Sequence, residues 1–252
     1  METFWPLLHT LIGTASAAFG SAVFNQVIEI ESDAKMARTS NRPLPSKRIL
    51  PSNAFALGWG LCAFGIIHLG VKISFDAALL AAITIATYVL IYTPLKRKTS
   101  LNTLIGAIPG AIPPMMGWVG AGHDLTSPAP WFLFSLLFFW QLPHFVAINW
   151  LCREEYEEAQ YSMWSNGDKS GSKSAKIYIL FSLFMVALPF TCPPLKLTGY
   201  IFPPVGIILG IFLMLPALKF LKTKERVDMR KAFFSTLLYL PLALTALAID
   251  WI

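Results

Sequence analysis

NQVIEIESDAKMARTSNRPLPS, residues 25–46, is the stretch where a long apolar run ends in carboxylates and then turns basic. Asn25, Glu29 and Asp33 recur every four positions. On a helix that continues to Asp33 they form one stripe, drifting about 40° and rising about 6 Å per step, while Glu31 points elsewhere. Acids at the end of an apolar helix repel one another and resist desolvation, so the arrangement needs water, cationic side chains or a metal. Magnesium bridging to a phosphate suits it, because that ion takes one or two carboxylates and keeps its other positions for water and substrate oxygens. Lys35, Arg38 and Arg42 follow closely and could take phosphate oxygens directly. The same residues also read as a solvated charged loop between two membrane helices, whose surface ion pairs contribute little.

Around this stretch the chain is strongly apolar, with 55% hydrophobic and 13% charged residues among 252 and a mean hydropathy of +0.58. Soluble domains carry roughly 25% charged residues, so the composition indicates an all-α, polytopic membrane protein. A net charge of +6 raises nucleic acid as a partner. The basic residues, however, sit in short loops between apolar spans, the pattern that orients a membrane protein, and no nucleic-acid binding is expected. Cys62, Cys152 and Cys192 are odd in number and far apart, so neither a disulfide framework nor a zinc site is expected. The N-terminal METFWPLLHTLIGTASA is apolar and ends in small residues but lacks a basic leader, and its apolar run continues through Phe24 into the motif. It reads as a retained membrane helix, and the absence of an Arg-rich, Ser-rich transit segment favours a bacterial plasma membrane.

Apolar stretches of the length that crosses a bilayer number eight, at about 4–29, 51–71, 75–94, 101–121, 130–151, 175–193, 200–220 and 231–250. Placing alternate loops on one side collects 18 of the 20 basic residues there and leaves only Lys72 and Lys196 opposite. That asymmetry makes the crowded side cytoplasmic and puts both termini outside.

The second cytoplasmic loop carries Tyr88, Tyr92, Lys96, Arg97 and Lys98. Tyr88 and Tyr92 share a helix face that Lys96 extends, although a positive-inside anchor would look the same. The next span opens at Asn102 and runs through Gly106, Pro109, Gly110, Pro113, Pro114 and Gly117, a composition that packs closely, breaks at its prolines and suits a cavity wall. In the fifth span, Trp140 and His144 are polar groups in an otherwise apolar helix; the imidazole could meet a cofactor, act as a base, or bond a neighbouring helix. His9, His68 and His123 are assigned to packing or the surface. The third cytoplasmic loop begins Arg153-Glu154-Glu155-Tyr156, an acidic cluster on the same face as Glu29 and Asp33. It could complete a two-metal site or form a solvated amphipathic helix. The last three spans read as scaffold, and no heptads, P-loop or nucleophile elbow is found.

Taken together, NxxxExExDxKMxRTxNRPLPS, YTPLKRKTSLNxxIGAIPGAIPPMMGW and WQLPHFxAxxWxxREEY resemble the UbiA superfamily of intramembrane prenyltransferases, and within it the branch that farnesylates protohaem IX. The final RKAFFSTLLYLPLALTALAID is similar too, so the resemblance covers nearly the whole chain. It departs in using Glu29 and Glu31, and Glu154 and Glu155, where the family usually has aspartates. Family members have nine membrane helices, and this chain begins at what resembles their second. The expectation is one membrane-embedded prenyltransferase domain over residues 1–252 without the family's first helix.

The resemblance implies transfer of a farnesyl group from farnesyl diphosphate to a vinyl group of haem b, giving haem O, in the bacterial inner membrane. It implies magnesium held by Asn25, Glu29 and Asp33 with help from Glu154 and Glu155. Lys35, Arg38, Arg42, Lys96 and Arg97 would steady the leaving diphosphate, and Tyr88 and Tyr92 the allylic cation. Asn102, Arg153 and Tyr156 join the substrate-binding set, and Trp140 and His144 would meet the haem. Implied partners are the lipid bilayer and the haem A synthase or terminal oxidase assembly that receives the product. Two other readings stay open: a related prenyltransferase with an aromatic or chlorin acceptor, and a small polytopic transporter using intramembrane acids. The latter predicts charges near the bilayer midplane and repeated halves, whereas here the acids cluster at one face and no repeat is visible.

Overall fold

A computed structural model describes residues 4–252. In chain order its helices are α1 (Phe4–Ile28), α2 (Ile30–Lys35), α3 (Pro51–Lys72), α4 (Phe75–Leu95), α5 (Asn102–Ala111), α6 (Pro113–Gly120), α7 (Pro128–Leu151), α8 (Arg153–Glu158), α9 (Ser172–Leu195), α10 (Phe202–Thr223) and α11 (Arg226–Asp250). Seven of them, all but α2, α5, α6 and α8, are long and apolar enough to cross a membrane. Proline opens α3, α6 and α7, where its missing N–H has no intrahelical partner to lose.

The span expected at 101–121 is not one helix. Pro113 and Pro114 cannot donate to the carbonyls four residues back, so the ladder breaks at Ile112 and yields α5 and α6. The final helix also starts at Arg226, earlier than the expected 231, which places Asp228 and Arg230 inside it.

Two compact units are present, one comprising the chain up to Phe134 with Glu154–Ser162, the other Ser135–Arg153 with Met163–Ile252. In the first, α1 and α3 meet through small residues. A Cβ on Gly20 would stand 2.8 Å from the Cys62 nitrogen and 2.9 Å from the Gly58 oxygen, and one on Gly65 2.8 Å from the Ala17 nitrogen. Backbones this close gain dispersion contacts that lipid cannot supply, the usual basis of helix association in membranes. Around the contact, Ala17, Leu69, Ala77, Leu80, Ile112, Met115 and Met116 form a continuous buried core.

In the second unit α9 packs on α10 and α10 on α11. The Tyr178 hydroxyl donates to the Ala232 oxygen at 2.8 Å, satisfying a phenol that is fully buried. Asp250 accepts from the backbone N–H groups of Ile201 and Phe202 at 2.9 and 2.7 Å, placing a carboxylate at the positive end of α10. Large apolar side chains such as Phe19, Trp59, Ile67 and Ile208 face outward. So much exposed hydrocarbon on helices of this length marks an integral membrane protein.

Replacing Gly20 by valine drives a branched side chain into the α3 backbone and should lower stability by about 1–3 kcal/mol. Gly60, whose added Cβ meets nothing within 4 Å, is the control. Thermal melts in detergent should separate Gly20→Val from a parent-like Gly60→Ala.

Candidate functional site

The stripe predicted from the four-residue spacing survives a break in the helix. Between α1 and α2 the ladder continues through Glu29, whose N–H donates to the Asn25 oxygen at 3.0 Å, while the Asp33 N–H donates to the Glu29 oxygen at 2.8 Å. Asn25, Glu29 and Asp33 are buried and Glu31 is exposed. A buried carboxylate needs a cation, and each receives one. Lys96 Nζ stands 2.8 Å from Glu29 Oε1 and donates to Oε2 at 3.1 Å. Arg42 Nη1 donates to Asp33 Oδ2 at 2.7 Å. Asn25 Nδ2 bridges Glu29 Oε2 at 2.9 Å and Thr93 Oγ1 at 3.2 Å.

Lys96 reaches Glu29 because of a local irregularity in α4. Residues Ala86–Tyr92 form a π-helix, and the Thr93 N–H closes on the Tyr88 oxygen five residues back. Such wide turns recur at functional sites. The Thr93 hydroxyl donates to the same oxygen at 2.8 Å. Tyr88 and Tyr92 lie with ring centroids 5.3 Å apart, and Lys96 Nζ sits 4.7 Å over the Tyr92 ring. Gly106 of α5 makes room for that ring, since a Cβ there would stand 2.5 Å from it.

Two more cations of this unit, Arg97 and Arg38, engage neighbouring residues. Arg97 donates to Ser32 Oγ. Arg38 donates to the Tyr156 hydroxyl at 2.9 Å, lies over the Tyr156 ring, and sits 3.9 Å from Glu155 Oε2. Asn102 Nδ2 donates to the Ser162 oxygen at 2.7 Å, and the Ser162 N–H donates to the Lys96 oxygen at 2.6 Å, tying the loop after α8 to the end of α4. That loop presents Tyr161, buried 5.8 Å from Lys96 Nζ; burial first, and then the Glu29 charge, push its phenol up from the ordinary value, so it stays protonated. Lys35 and Glu154 are exposed.

Sequence reasoning missed Ser32, Thr93 and Tyr161. A threonine before a proline at a membrane helix end is a signal for Thr93, because its hydroxyl can bond back along the helix. Nothing in the sequence marks Tyr161, which is aimed by a left-handed turn at Gln160, φ 60°.

Trp140, His144 and Arg153 belong to the second unit. Thr236 holds the first two: its carbonyl accepts from Trp140 Nε1 at 2.7 Å and its hydroxyl stands 2.8 Å from His144 Nδ1. The Thr236 hydroxyl donates its own proton to the Phe233 oxygen at 2.6 Å. It therefore accepts from His144 Nδ1–H, and in the neutral imidazole Nε2 then keeps its lone pair for another partner. Trp140 and Phe233 flank the ring, with centroids 5.5 and 4.9 Å away. Arg153 lies over Trp150, 4.6 Å from its ring centroid, and donates to its backbone oxygen at 3.1 Å.

Among the described residues no three His, Cys, Asp or Glu side chains converge as a metal-ligating set. Magnesium needs only one or two carboxylates. Glu29 Oε1 is buried and accepts no hydrogen bond of good geometry, although Lys96 is close. Glu29, Asp33 and the amide oxygen of Asn25 are oxygen donors of the types magnesium takes, so the chemistry of these residues fits the ion. Glu155 Oε2 is likewise buried without a hydrogen-bond partner, with Arg38 Nε 3.9 Å away.

Buried carboxylates answered by lysine and arginine at the end of an apolar bundle suit an anionic head group on a membrane-soluble substrate. The chain matches the UbiA prenyltransferase family over residues 1–240 and belongs to that family. It is 35% identical to the protoheme IX farnesyltransferase of Solibacter usitatus over 97% of this chain and 83% of that protein. With the protoheme IX farnesyltransferase of Opitutus terrae it shares 37% identity over 95% and 81%. A UbiA homolog from Aeropyrum pernix K1 superposes with a TM-score of 0.76 at 16% identity, covering 98% of this chain and 90% of that one. A UbiA homolog from Archaeoglobus fulgidus, solved with DMAPP and Mg2+, gives 0.68 at 13% identity over 98% and 88%. At these identities the two structures establish the fold.

Lys96→Met strands a buried Glu29 charge and should cost about 3 kcal/mol of stability, most of it recovered by adding Glu29→Gln. Denaturation of the two single variants and the double variant measures the coupling; simple additivity would show that the pair is not a unit.

Proposed function

We propose that this protein transfers the farnesyl group of farnesyl diphosphate to a vinyl group of haem b, making haem O in a bacterial inner membrane. The observation that carries the transferase half is the pairing of the buried Glu29 with Lys96 and of the buried Asp33 with Arg42, while Arg97 engages the adjacent Ser32 and Arg38 engages Glu155. The names of the relatives supply the acceptor. The bias of basic residues toward one set of loops supports a diphosphate site facing the cytoplasm, and both termini lie outside if α5 and α6 cross together as one broken span.

The chemistry asks for charge at one end of the substrate and dryness at the other. As the allylic C–O bond breaks, its electron pair leaves with the diphosphate. Each arginine retains donors beyond those its protein contacts use and can take the leaving oxygens. Lys96 adds a point charge against Glu29. Magnesium, which Asn25, Glu29 and Asp33 would hold, supplies further neutralisation of the diphosphate when bound. The farnesyl cation needs polarisable, water-free walls, and the faces of Tyr88 and Tyr92 provide them. The vinyl π electrons then form the new C–C bond, and water adds to the resulting cation with loss of a proton. His144, held through Nδ1 by Thr236 and with Trp140 beside it, contacts the haem.

Haem extracts from cells expressing the chain, separated by mass, should contain a hydroxyethylfarnesyl-substituted haem. Asp33→Ala should reduce that yield by about 100-fold or more with the protein still inserted; a parental yield would refute the carboxylate assignment. His144→Ala should weaken haem binding while leaving diphosphate binding intact, and coincident haem titrations of variant and parent would return the histidine to a structural role.

A further inference from the structure

We infer that the end of the first unit far from the carboxylates binds an anionic two-chain phospholipid, with its phosphate at Lys72 and one acyl chain in each of two grooves. Thr10, on the wall of one groove, lies fifteen residues before Asn25 on α1, about 22 Å along the helix. The larger groove, about 560 Å³, is lined by Pro6, Leu7, Ile73, Val119 and the glycines from Gly117 to Gly122. The smaller, about 240 Å³, is lined by Phe64, Ile67, His68 and Val71. Lys72 is the one residue common to both.

A single cation between two apolar channels is the complement of a phosphate that carries two hydrocarbon chains. Lys72 is exposed, and no carboxylate pairs with it among the described residues. It is also one of only two basic residues outside the loops that orient the chain. Thr10 Oγ1 is buried against the larger groove with no hydrogen-bond partner, a donor suited to a lipid ester carbonyl. His68 shares a hydrogen bond of 3.2 Å with His9 and adds a polar group to the smaller groove beside Lys72. Trp5 and Trp131 are both more than half exposed near this end, where aromatic rings mark the head-group level of a bilayer. The wall stays bare at Gly117 and Gly122, where an added Cβ would meet nothing within 4 Å.

The full chain, purified in detergent, is presented with phosphatidylglycerol, phosphatidylcholine, lysophosphatidylglycerol or inorganic phosphate. Bound lipid is read by native mass spectrometry and by thermal shift. Phosphatidylglycerol should be retained one to one and raise the melting temperature, with about fivefold preference over phosphatidylcholine, the effect of one lysine near a membrane surface. Lys72→Glu should erase the preference. Gly117→Phe fills the larger groove without a backbone clash and should release both two-chain lipids, whereas Gly60→Phe, on an open face of α3, should not. Each variant is first shown to melt cooperatively without lipid. Equal retention by Lys72→Glu, indifference to Gly117→Phe, or lysolipid or phosphate binding as well as the two-chain lipid would overturn the proposal.

Discussion

Burying two carboxylates at the end of a membrane helix is expensive unless cations come with them, and most of the first unit follows from meeting that demand. Glu29 and Asp33 lie on a segment that has no cation of its own within reach on the same stripe. Lys96 arrives from the end of α4 and Arg42 from the loop that folds back after α2. Arg42 is nine residues from Asp33 and arrives locally, whereas Lys96 must cross from α4; the glycines along the α1–α3 contact bring those two helices close. The hydrogen bonds from Asn25 to Glu29 and Thr93 then tie the motif to the π segment of α4. The ion pairs are therefore less a source of stability than a condition the packing has to satisfy.

The same logic gives the second unit a different solution. Its buried polar groups are mostly neutral and are satisfied by backbone oxygens, as with Tyr178 on Ala232 and Trp140 on Thr236. Thr236 handles two side chains at once, and because its one proton is committed to Phe233, the state of His144 is decided by a residue 92 positions away. A neutral imidazole with a defined free nitrogen suits a metalloporphyrin better than a shared or mobile proton would.

Much of this was readable from residue order, and the reasons are local. The Asn25, Glu29, Asp33 stripe depends only on helical periodicity, which holds across the break at Glu29 because the backbone bonds on either side are kept. The Tyr88, Tyr92, Lys96 spacing also predicts neighbours and finds them. The break within residues 101–121 follows from adjacent prolines, although its consequence, two short helices in place of a span, is larger than a kink. What sequence could not show depends on long-range placement. Arg42 as the partner of Asp33, Ser32 beneath Arg97, and Tyr161 beside Glu29 each require knowing where a loop returns. Helix starts such as Arg226 were also hidden, because charged residues at a membrane boundary continue a helix as readily as they end one.

The π segment at Ala86–Tyr92 has a consequence for how this activity can be inherited. One residue corresponds to about 100° of helical rotation, so a deletion that restored regular winding would swing Lys96 away from Glu29. Hydropathy, span length and loop charge would all be unchanged. Two descendants could thus look equivalent by every bulk property and differ in whether the reacting end of the molecule is assembled, which makes the phase of α4, more than its composition, the heritable trait.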